Sequence, residues 1–213
     1  MKTVALAIML SIVPSIANAW SGWYYAGVSR TADVAHYTTA TMQFSTLPPF
    51  SSCGVSCHIL GWTILADSGS FNQYVEAGIG CEPGTHHPCD QQWLWWTNQK
   101  KQTAQFIRAV PLGTPVKVEI TKIDGQNYAK AEWSWPGGYR TKQIALGKWY
   151  VGAAIHPTQL EVYVYNKPTF PSPLAFSATG INIYPEDLTT AYLYDQSPLD
   201  AIGTLEGYTV ILP

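Results

Sequence analysis

Hydrophobic and polar residues alternate along most of this chain, and the alternation predicts β-strands. Successive side chains of a strand point to opposite faces, so an alternating segment has one apolar face. Turn-forming stretches rich in Pro, Gly and Asp separate the segments, and "DG" at 124–125 predicts a hairpin. Many short strands at this spacing predict an all-β fold, either a sandwich or a jelly roll. The alternating segments are residues 23–29, 36–44, 58–65, 71–79, 91–98, 114–123, 127–135, 139–146, 149–156, 159–166, 176–184 and 207–213.

The stretch "SFNQYVEAGIG" at 70–80 places a carboxylate inside an otherwise apolar strand. Val75, Ala77 and Ile79 form one apolar face, and the other face carries Tyr74, Glu76, Gly78 and Gly80. Glycine within a strand often marks the close approach of another chain or of a ligand. Glu76 therefore lies either on a solvated outer face or in a functional site.

The segment "WYVGAAIH" at 149–156 has small residues between two larger ones on one face. Gly152 and Ala154 lie between Tyr150 and His156, which would leave a trough in the sheet surface. Such a trough suits an extended polymer. A tightly packed sheet covered by a loop is the alternative.

The segment "QQWLWWTNQ" at 91–99 places large apolar side chains on both faces of a strand. Trp93 and Trp95 share one face, and Leu94 and Trp96 share the other. A strand of this kind is either fully buried or has the core on one side and an aromatic cleft wall on the other.

The first nineteen residues predict a secretory signal peptide. Lys2 supplies the positive end, an apolar run follows, and "ANA" ends at Ala19 in the small-x-small form of a cleavage site. The apolar run is too short for a membrane span. We therefore expect residues 20–213 to form a single domain that is secreted, periplasmic or extracellular and monomeric.

The charge balance argues against a nucleic-acid partner. The chain has 12 Lys and Arg residues against 14 Asp and Glu, with no basic cluster. Aromatic residues make up 13% of the chain, which suits either a large core or a cleft for peptides or sugars. An extracellular peptide or polysaccharide is the expected partner, and no cofactor is expected.

Four cysteines in an exported chain predict two disulfides, and three pairings are possible. The two local pairings, Cys53 with Cys57 and Cys81 with Cys89, are favoured. A zinc site made by Cys81, Cys89 and the neighbouring His86–His87 pair is the alternative. No standard nucleophile, zinc-peptidase or phosphate-binding motif occurs, so no metal site is expected elsewhere.

Three stretches taken together resemble the glutamic peptidases, or eqolisins. They are "WSGWYYAG" at 20–27, "GWTILADSGSFNQYVEAGIG" at 61–80 and "CDQQWLWWTNQ" at 89–99, in the order found in that family. "PLGTPVKVEIT" at 111–121 is similar to a further stretch of the family. The resemblance implies a concanavalin-like jelly-roll sandwich of two curved antiparallel sheets, with a substrate cleft on one of them.

The resemblance also assigns aromatic residues to a substrate cleft. Trp62 matches the tryptophan of the family's first motif, and Trp93 and Trp96 match an aromatic pair in which Trp95 replaces an acid. The residues expected to contact substrate are Trp62, Tyr74, Trp93, Trp95, Tyr150 and Ala154.

The catalytic pair implied by the resemblance is altered in this chain. Glu76 stands where the family has its catalytic glutamine, and Ala154 or Gly152 stands where it has its catalytic glutamate. In that family the glutamate is the base that activates water and the glutamine amide stabilises the oxyanion. An ionised Glu76 only accepts hydrogen bonds. Glu76 and His156 are therefore the catalytic candidates if activity has been rebuilt.

Three functions remain open at this point. The leading one is a cleft that binds an extended peptide or glycan after loss of the catalytic pair. The second is an acid-active endopeptidase, or another hydrolase, that uses Glu76 as base; a glycosidase would need a second carboxylate, for which Glu132 is preferred over Glu161 and Asp90. The third is an extracellular structural or interaction protein whose cleft is filled by the loop "CEPGTHHPC" at 81–89.

Overall fold

The described part of the chain folds almost entirely into β-strands. The computed structural model describes residues 20–29, 35–53, 57–66, 73–123, 125–147, 157–167, 169–185 and 191–212. The strands are β1 (Trp20–Ser29), β2 (Ala35–Thr46), β3 (Cys57–Ala66), β4 (Tyr74–Cys81), β5 (Gln92–Asn98), β6 (Gln105–Val110), β7 (Val116–Lys122), β8 (Tyr128–Trp135), β9 (Gly138–Ala145), β10 (Thr158–Lys167), β11 (Leu174–Pro185), β12 (Tyr192–Asp195), β13 (Asp200–Thr204) and β14 (Gly207–Leu212). A single helical turn, α1 (Phe50–Cys53), precedes β3.

Two antiparallel sheets of seven strands make up the fold. Sheet A has the strand order β12-β1-β10-β3-β4-β5-β6, and sheet B has the order β13-β14-β11-β2-β7-β8-β9. The predicted all-β sandwich is therefore confirmed. The strands on either side of "DG" pair as the predicted hairpin, with Glu119 of β7 opposite Glu132 of β8.

The core lies between the sheets and is built from alternate residues of the inner strands. Val75, Ala77 and Ile79 of β4 are fully buried there, as the alternation predicted. Buried polar groups tie the two sheets together. Gln92 of β5 accepts a hydrogen bond from the backbone N–H of Phe44 at 2.9 Å.

A second, smaller apolar cluster lies on the face of sheet A that is turned away from sheet B, called here the outer face. Leu60, Trp62 and Ile64 of β3 form it together with Trp95 of β5. Sheet A is thus apolar on both faces at its centre, so its middle strands are covered on two sides. This arrangement explains why "QQWLWWTNQ" has tryptophans on both faces.

Sequence patterns missed three strands, and all three lie at sheet edges. β6 and β12 are the two edges of sheet A, and β13 is one edge of sheet B. Edge strands are exposed and tolerate irregular polarity, so their alternation is weak. The strand predicted at 149–156 and the signal peptide predicted at 1–19 lie outside the described residues.

Both favoured disulfides are present, joining Cys53 to Cys57 and Cys81 to Cys89. The alternative zinc site is wrong, because its two cysteines are bonded to each other. In the part of the chain that the structure describes, no helix has the length and apolar character needed to cross a membrane.

Candidate active site

A cavity of about 470 Å³ lies on the outer face of sheet A. Strands β1, β10, β3, β4 and β5 supply its floor, and the segment before β6 supplies part of its wall. Its charged and titratable lining consists of Glu76, Glu82, Glu161 and His58. Its aromatic lining consists of Trp23, Tyr25, Tyr74, Trp95, Phe106 and Tyr163.

Glu76 lies near the middle of β4 and points into this cavity. It stands between Ile64 of β3 and Thr97 of β5, its cross-strand neighbours. Burial, together with the negative charge of Glu161, raises the pKa of the Glu76 carboxyl to about 8. Glu76 is therefore a neutral carboxylic acid at pH 7, and a neutral carboxyl can donate a hydrogen bond.

Glu161 is the second carboxylate of the cavity and is paired with a histidine. It lies on β10 opposite Leu60, while His58 lies two residues from Leu60 on the same strand. Nε2 of His58 lies 2.9 Å from Oε1 of Glu161, with 20% and 15% of the two side chains exposed. A carboxylate only accepts hydrogen bonds, so the Nε2–H of His58 is the donor to Glu161. The second ring nitrogen, Nδ1, is not part of this bond.

Two tyrosines border the carboxyl groups. Tyr25 of β1 is directly opposite Glu161, and Tyr74 begins β4 two residues before Glu76. Burial, together with the charges of Glu161 and Glu76, raises the pKa of Tyr25 to about 12. Burial and the charge of Glu76 also raise the pKa of Tyr74. Both phenols therefore stay protonated and can donate hydrogen bonds.

Three rings form a row across one end of the cavity, called here the aromatic row. Trp23 of β1, Tyr163 of β10 and His58 of β3 are successive cross-strand partners. Ring centroids are 4.6 Å apart between Trp23 and Tyr163 and 5.0 Å apart between Trp23 and His58. Trp23 is 48% exposed, so part of its indole face is open to a ligand.

Two buried polar atoms on β5 have no hydrogen-bond partner among the described residues. They are Nε1 of Trp95 and Oγ1 of Thr97, in side chains that are 1% and 5% exposed. Both residues line the cavity beside Glu76. Buried polar groups are nearly always paired in folded proteins, so two unpaired ones at one cavity point to a ligand site.

The glycines that share the face of Glu76 mark a close approach of the neighbouring strand. A Cβ on Gly78 would lie 1.8 Å from the carbonyl oxygen of Gly61, and one on Gly80 would lie 2.4 Å from that of Ile59. The approaching chain is therefore β3 of the same sheet. These glycines are explained by strand packing, without a ligand.

The structure brings some of the predicted site residues together and separates others. Glu76, Tyr74 and Trp95 line the cavity. Trp62 lies on the same face but is covered within the outer apolar cluster. Trp93 lies outside the lining, with its Nε1 donating to the backbone oxygen of Pro88 at 3.1 Å. The other three predicted residues, Tyr150, Ala154 and His156, lie outside the described residues and stay predictions.

The preferred second carboxylate was wrong, since Glu132 lies on β8 of sheet B. There it pairs with Lys130 at 2.6 Å and accepts a hydrogen bond from Tyr139. Glu161 holds the cavity position instead. The only sequence signal for Glu161 is that it shares a strand face with Tyr163 in "QLEVYVYN" at 159–166. That pattern does not indicate which strand lies beside β10.

The chemistry available in the cavity is that of a carboxyl pair in two different states. Glu161 is held by His58 as a hydrogen-bonded carboxylate, and Glu76 is held neutral by burial. A carboxyl group that stays neutral and a second carboxyl group that is hydrogen-bonded to a histidine can serve as acid and base in one reaction. The tyrosines and tryptophans around them offer flat surfaces to a substrate.

Solved structures of glutamic peptidases share this fold. Scytalido-glutamic peptidase, solved with a transition-state analogue inhibitor, superposes with a TM-score of 0.59 over 91% of this chain and 98% of that chain, at 11% identity. SCP-B, described as a member of the eqolisin family and solved with the tripeptide Ala-Ile-His, gives a TM-score of 0.58 at the same coverage and identity. No family model matches the sequence, and neither does any curated protein. At this identity the likeness shows the fold, and the predicted resemblance to the eqolisins is confirmed at that level.

Proposed function

We propose that this chain is a hydrolase that cleaves peptide bonds, with Glu161 as the base and neutral Glu76 as the hydrogen-bond donor. The observation that carries the proposal is the placement of a histidine-bound carboxylate and a neutral carboxyl in one aromatic-lined cavity. The solved proteins of this fold bind a peptide-based analogue and a tripeptide, which supports a peptide as the substrate. The predicted signal peptide and the two disulfides support action outside the cytoplasm.

Glu161 starts the proposed reaction. Its carboxylate takes a proton from a water molecule, and the water oxygen forms a bond to the carbon of the scissile carbonyl. The His58 ring holds the carboxylate in place through its Nε2–H. When the carbon–nitrogen bond breaks, the proton on Glu161 passes to the leaving amine, so the enzyme returns to its starting state.

Glu76 stabilises the charge that forms on the carbonyl oxygen. As a neutral acid it donates a hydrogen bond to that oxygen, which is the role that the resemblance assigns to a glutamine amide at this position. The objection that an ionised Glu76 could only accept hydrogen bonds therefore does not apply below pH 8. Glu76 serves as a donor in this proposal, in place of the base expected from the sequence.

Three variants test the assignment by cleavage of denatured protein between pH 4 and 9. We expect Glu161→Gln to abolish cleavage, because the amide cannot take a proton. Glu76→Gln should keep most of the activity, since an amide also donates. Glu76→Ala should lose about 100-fold in kcat, the usual cost of removing an oxyanion donor.

Wild-type activity should fall as the pH rises through about 8, where Glu76 ionises, while Glu76→Gln should keep its activity there. Cleavage by Glu161→Gln at the wild-type rate would rule out the assignment. Loss of activity in Glu76→Gln equal to that in Glu76→Ala would show that Glu76 acts as a base.

Binding without cleavage is the second candidate function, and the half-exposed Trp23 in the aromatic row favours it. Saturable binding of peptides or glycans by a wild-type protein that cleaves neither would support this function. The third function, in which the loop at 81–89 fills the cleft, has less support. Within that loop Glu82 lines the cavity, whereas His87 stacks on Phe106 with 4.1 Å between the ring centroids.

A further inference from the structure

We propose that one edge of the sandwich binds an acidic polysaccharide, at a site separate from the cavity. This edge, called here the basic edge, is formed by β6 of sheet A and β9 of sheet B. The inference goes beyond the proposed function and does not depend on it. It is carried by the distribution of charge over the two sheets and by the contacts that hold the basic side chains.

The charges of this chain are separated between opposite edges of the fold. Residues 100–148, which supply β6 to β9, contain nine of the 12 Lys and Arg residues and three of the 14 Asp and Glu residues. Residues 168–213, which supply β11 to β14, contain five Asp and Glu residues and neither lysine nor arginine. β6 and β9 end their sheets on one side, and β12 and β13 end the same sheets on the other. A charge asymmetry of this size indicates an interaction with an anionic polymer or surface.

Three of the basic side chains lie on the core-facing sides of the two edge strands. Arg108 of β6 is opposite a buried leucine of β5, and Arg140 and Lys142 of β9 are opposite buried residues of β8. Residues directly opposite each other on neighbouring strands share a face. Because β6 and β9 end their sheets in the described part of the chain, all three residues are exposed at the opening between the sheets.

Two contacts between the sheets hold these cations in place. The guanidinium carbon of Arg108 in sheet A lies 6.0 Å from the ring centroid of Trp135 in sheet B. In the opposite direction, Nζ of Lys142 in sheet B lies 5.5 Å from the ring centroid of Trp96 in sheet A. Cations are attracted to the faces of such rings. A contact with a ring face uses no hydrogen-bond donor, so the N–H groups of both cations can still bind an anion.

The turn between β5 and β6 extends the basic edge. Lys100 and Lys101 are exposed in this turn. Nδ2 of Asn98, at the end of β5, donates to the backbone oxygen of Ala145 at 3.3 Å, so the turn begins beside the end of β9. The five cations of the basic edge are thus Lys100, Lys101, Arg108, Arg140 and Lys142.

The cations of the basic edge differ from their neighbours in having no carboxylate partner. On the face of sheet B that is turned away from sheet A, Lys117 and Lys130 pair with Glu119 and Glu132 at 3.0 and 2.6 Å. No carboxylate among the described residues forms an ion pair with any of the five cations of the basic edge. Their charges are therefore available to an anionic partner.

The arrangement of the cations suits a narrow, extended polyanion. Arg140 and Lys142 are two positions apart on one strand, which separates them by about 7 Å along the edge. Arg108 lies on the edge strand of the other sheet, so a single polymer chain at the opening can contact both sheets. Trp96 and Trp135 face cations and are not open to stacked nucleobases, which single-stranded nucleic acids require. An acidic polysaccharide carries its charges at regular intervals along one chain and requires no such stacking.

Binding of fluorescein-labelled polygalacturonate tests the proposal, with its methyl ester as the uncharged probe. Esterification removes the carboxylate charges and keeps the sugar chain. We expect the acidic polymer to bind about tenfold more tightly than the ester at low salt, and added salt should weaken this binding because it screens exposed charges. The edge variant Arg108→Gln/Arg140→Gln/Lys142→Gln should bind the acidic polymer about tenfold more weakly, since each exposed ion pair contributes a modest part of the affinity.

Lys100→Gln with Lys101→Gln is a second test that leaves the ring contacts between the sheets intact. Both lysines are exposed in a turn, so their replacement should not disturb the fold. We expect this variant to bind the acidic polymer about threefold more weakly than the wild type.

The matched control is Lys117→Gln/Lys130→Gln/Lys167→Gln, which removes as many charges as the edge variant from β7, β8 and β10. Its affinity for the acidic polymer should stay close to that of the wild type. Equal affinity for the two probes, or equal losses in the edge variant and the control, would overturn the inference. Binding to duplex DNA or to vesicles of anionic lipid, without binding to polygalacturonate, would also overturn it. Peptide cleavage enters none of these outcomes, so the proposed hydrolysis is tested separately.

Discussion

Glu76 shows how one residue changes its chemistry with its surroundings. A glutamate side chain in water is a base and an acceptor at neutral pH. Here Ile64 and Thr97 flank it across the strands, and burial keeps it protonated to a pH of about 8. Protonated Glu76 can therefore donate a hydrogen bond, as an amide does, and it loses this ability when the pH rises above about 8.

The stability of the protein should fall as the pH rises from about 5 to 8. The folded chain keeps the proton on Glu76 up to about pH 8, whereas the unfolded chain releases it near 4.5. Between these values the folded state binds more protons, so raising the pH favours unfolding by up to about 1.4 kcal/mol for each pH unit. Urea unfolding of the wild type and Glu76→Gln at pH 5, 6, 7 and 8 measures this.

The difference in unfolding free energy between the two proteins is the informative quantity, because all other titrating groups are shared. As the pH rises, the free energy of unfolding of the wild type should fall steadily relative to that of Glu76→Gln. A difference that stays constant over this range would mean that Glu76 ionises at an ordinary pKa.

The alternating pattern predicted on which face of the strand Glu76 lies, but it could not predict whether its carboxyl group is protonated. The face on which a strand residue lies follows from its immediate neighbours in sequence. The pKa depends on groups that other strands bring near, including Glu161, which is 85 positions further along the chain. Glu161 was ranked behind Glu132 as the second carboxylate for the same reason, since the pairing of β10 with β3 is set by long-range register.

At the scale of elements, β4 is held in place by the opposite sheet. Trp133 of β8 is fully buried and donates from its indole Nε1 to the carbonyl oxygen of Gly78 at 3.0 Å. This bond crosses the core two residues from Glu76. It therefore fixes the strand that carries the proposed donor.

Trp133→Phe should lower the free energy of unfolding by about 2–3 kcal/mol, because it removes a buried hydrogen bond between the sheets and leaves a void in the core. Trp93→Phe is the control, since the Trp93 indole donates to Pro88 and its ring is only partly buried. Its cost should be near 1 kcal/mol, roughly that of one ordinary hydrogen bond. Chemical denaturation of both variants measures the difference, and equal losses would count against the role given to Trp133.

Edge strands explain where sequence patterns fail for this fold. The inner strands have a core on one side at least, so their apolar positions repeat at every second residue. β6, with Ile107 and Arg108 both exposed, has no such constraint. β9 is also an edge strand, and it was predicted because residues 139–146 alternate after the "PGG" turn at 136–138 that joins β9 to β8.

At the scale of the whole molecule, two disulfides each join cysteines that are close in the sequence, next to strands of sheet A. Cys81 and Cys89 are both buried, and their bond closes the loop that carries Glu82. Removing both cysteines as Cys81→Ala with Cys89→Ala should lower the free energy of unfolding by about 2–3 kcal/mol, from the freedom that the unfolded chain regains. Thermal unfolding of this variant beside the wild type measures the change.

Reductant cleaves both disulfides, so the control compares the double variant and the wild type when both are unfolded with reductant; the two proteins then differ only in the two side chains. A midpoint for the double variant equal to that of the untreated wild type would show that the loop is held by its other contacts, such as His87 on Phe106.

The close contact between β3 and β4 depends on a missing side chain. Glu76 and Glu161 lie on the two strands that flank β3 and are offset along it, since Glu76 is opposite Ile64 and Glu161 is opposite Leu60. Gly78, two residues from Glu76, has no side chain to hold the carbonyl of Gly61 away. The glycine thus acts as a spacer of zero thickness. A single methyl group there would shift β4, and Glu76 with it, relative to β3 without touching either carboxyl group.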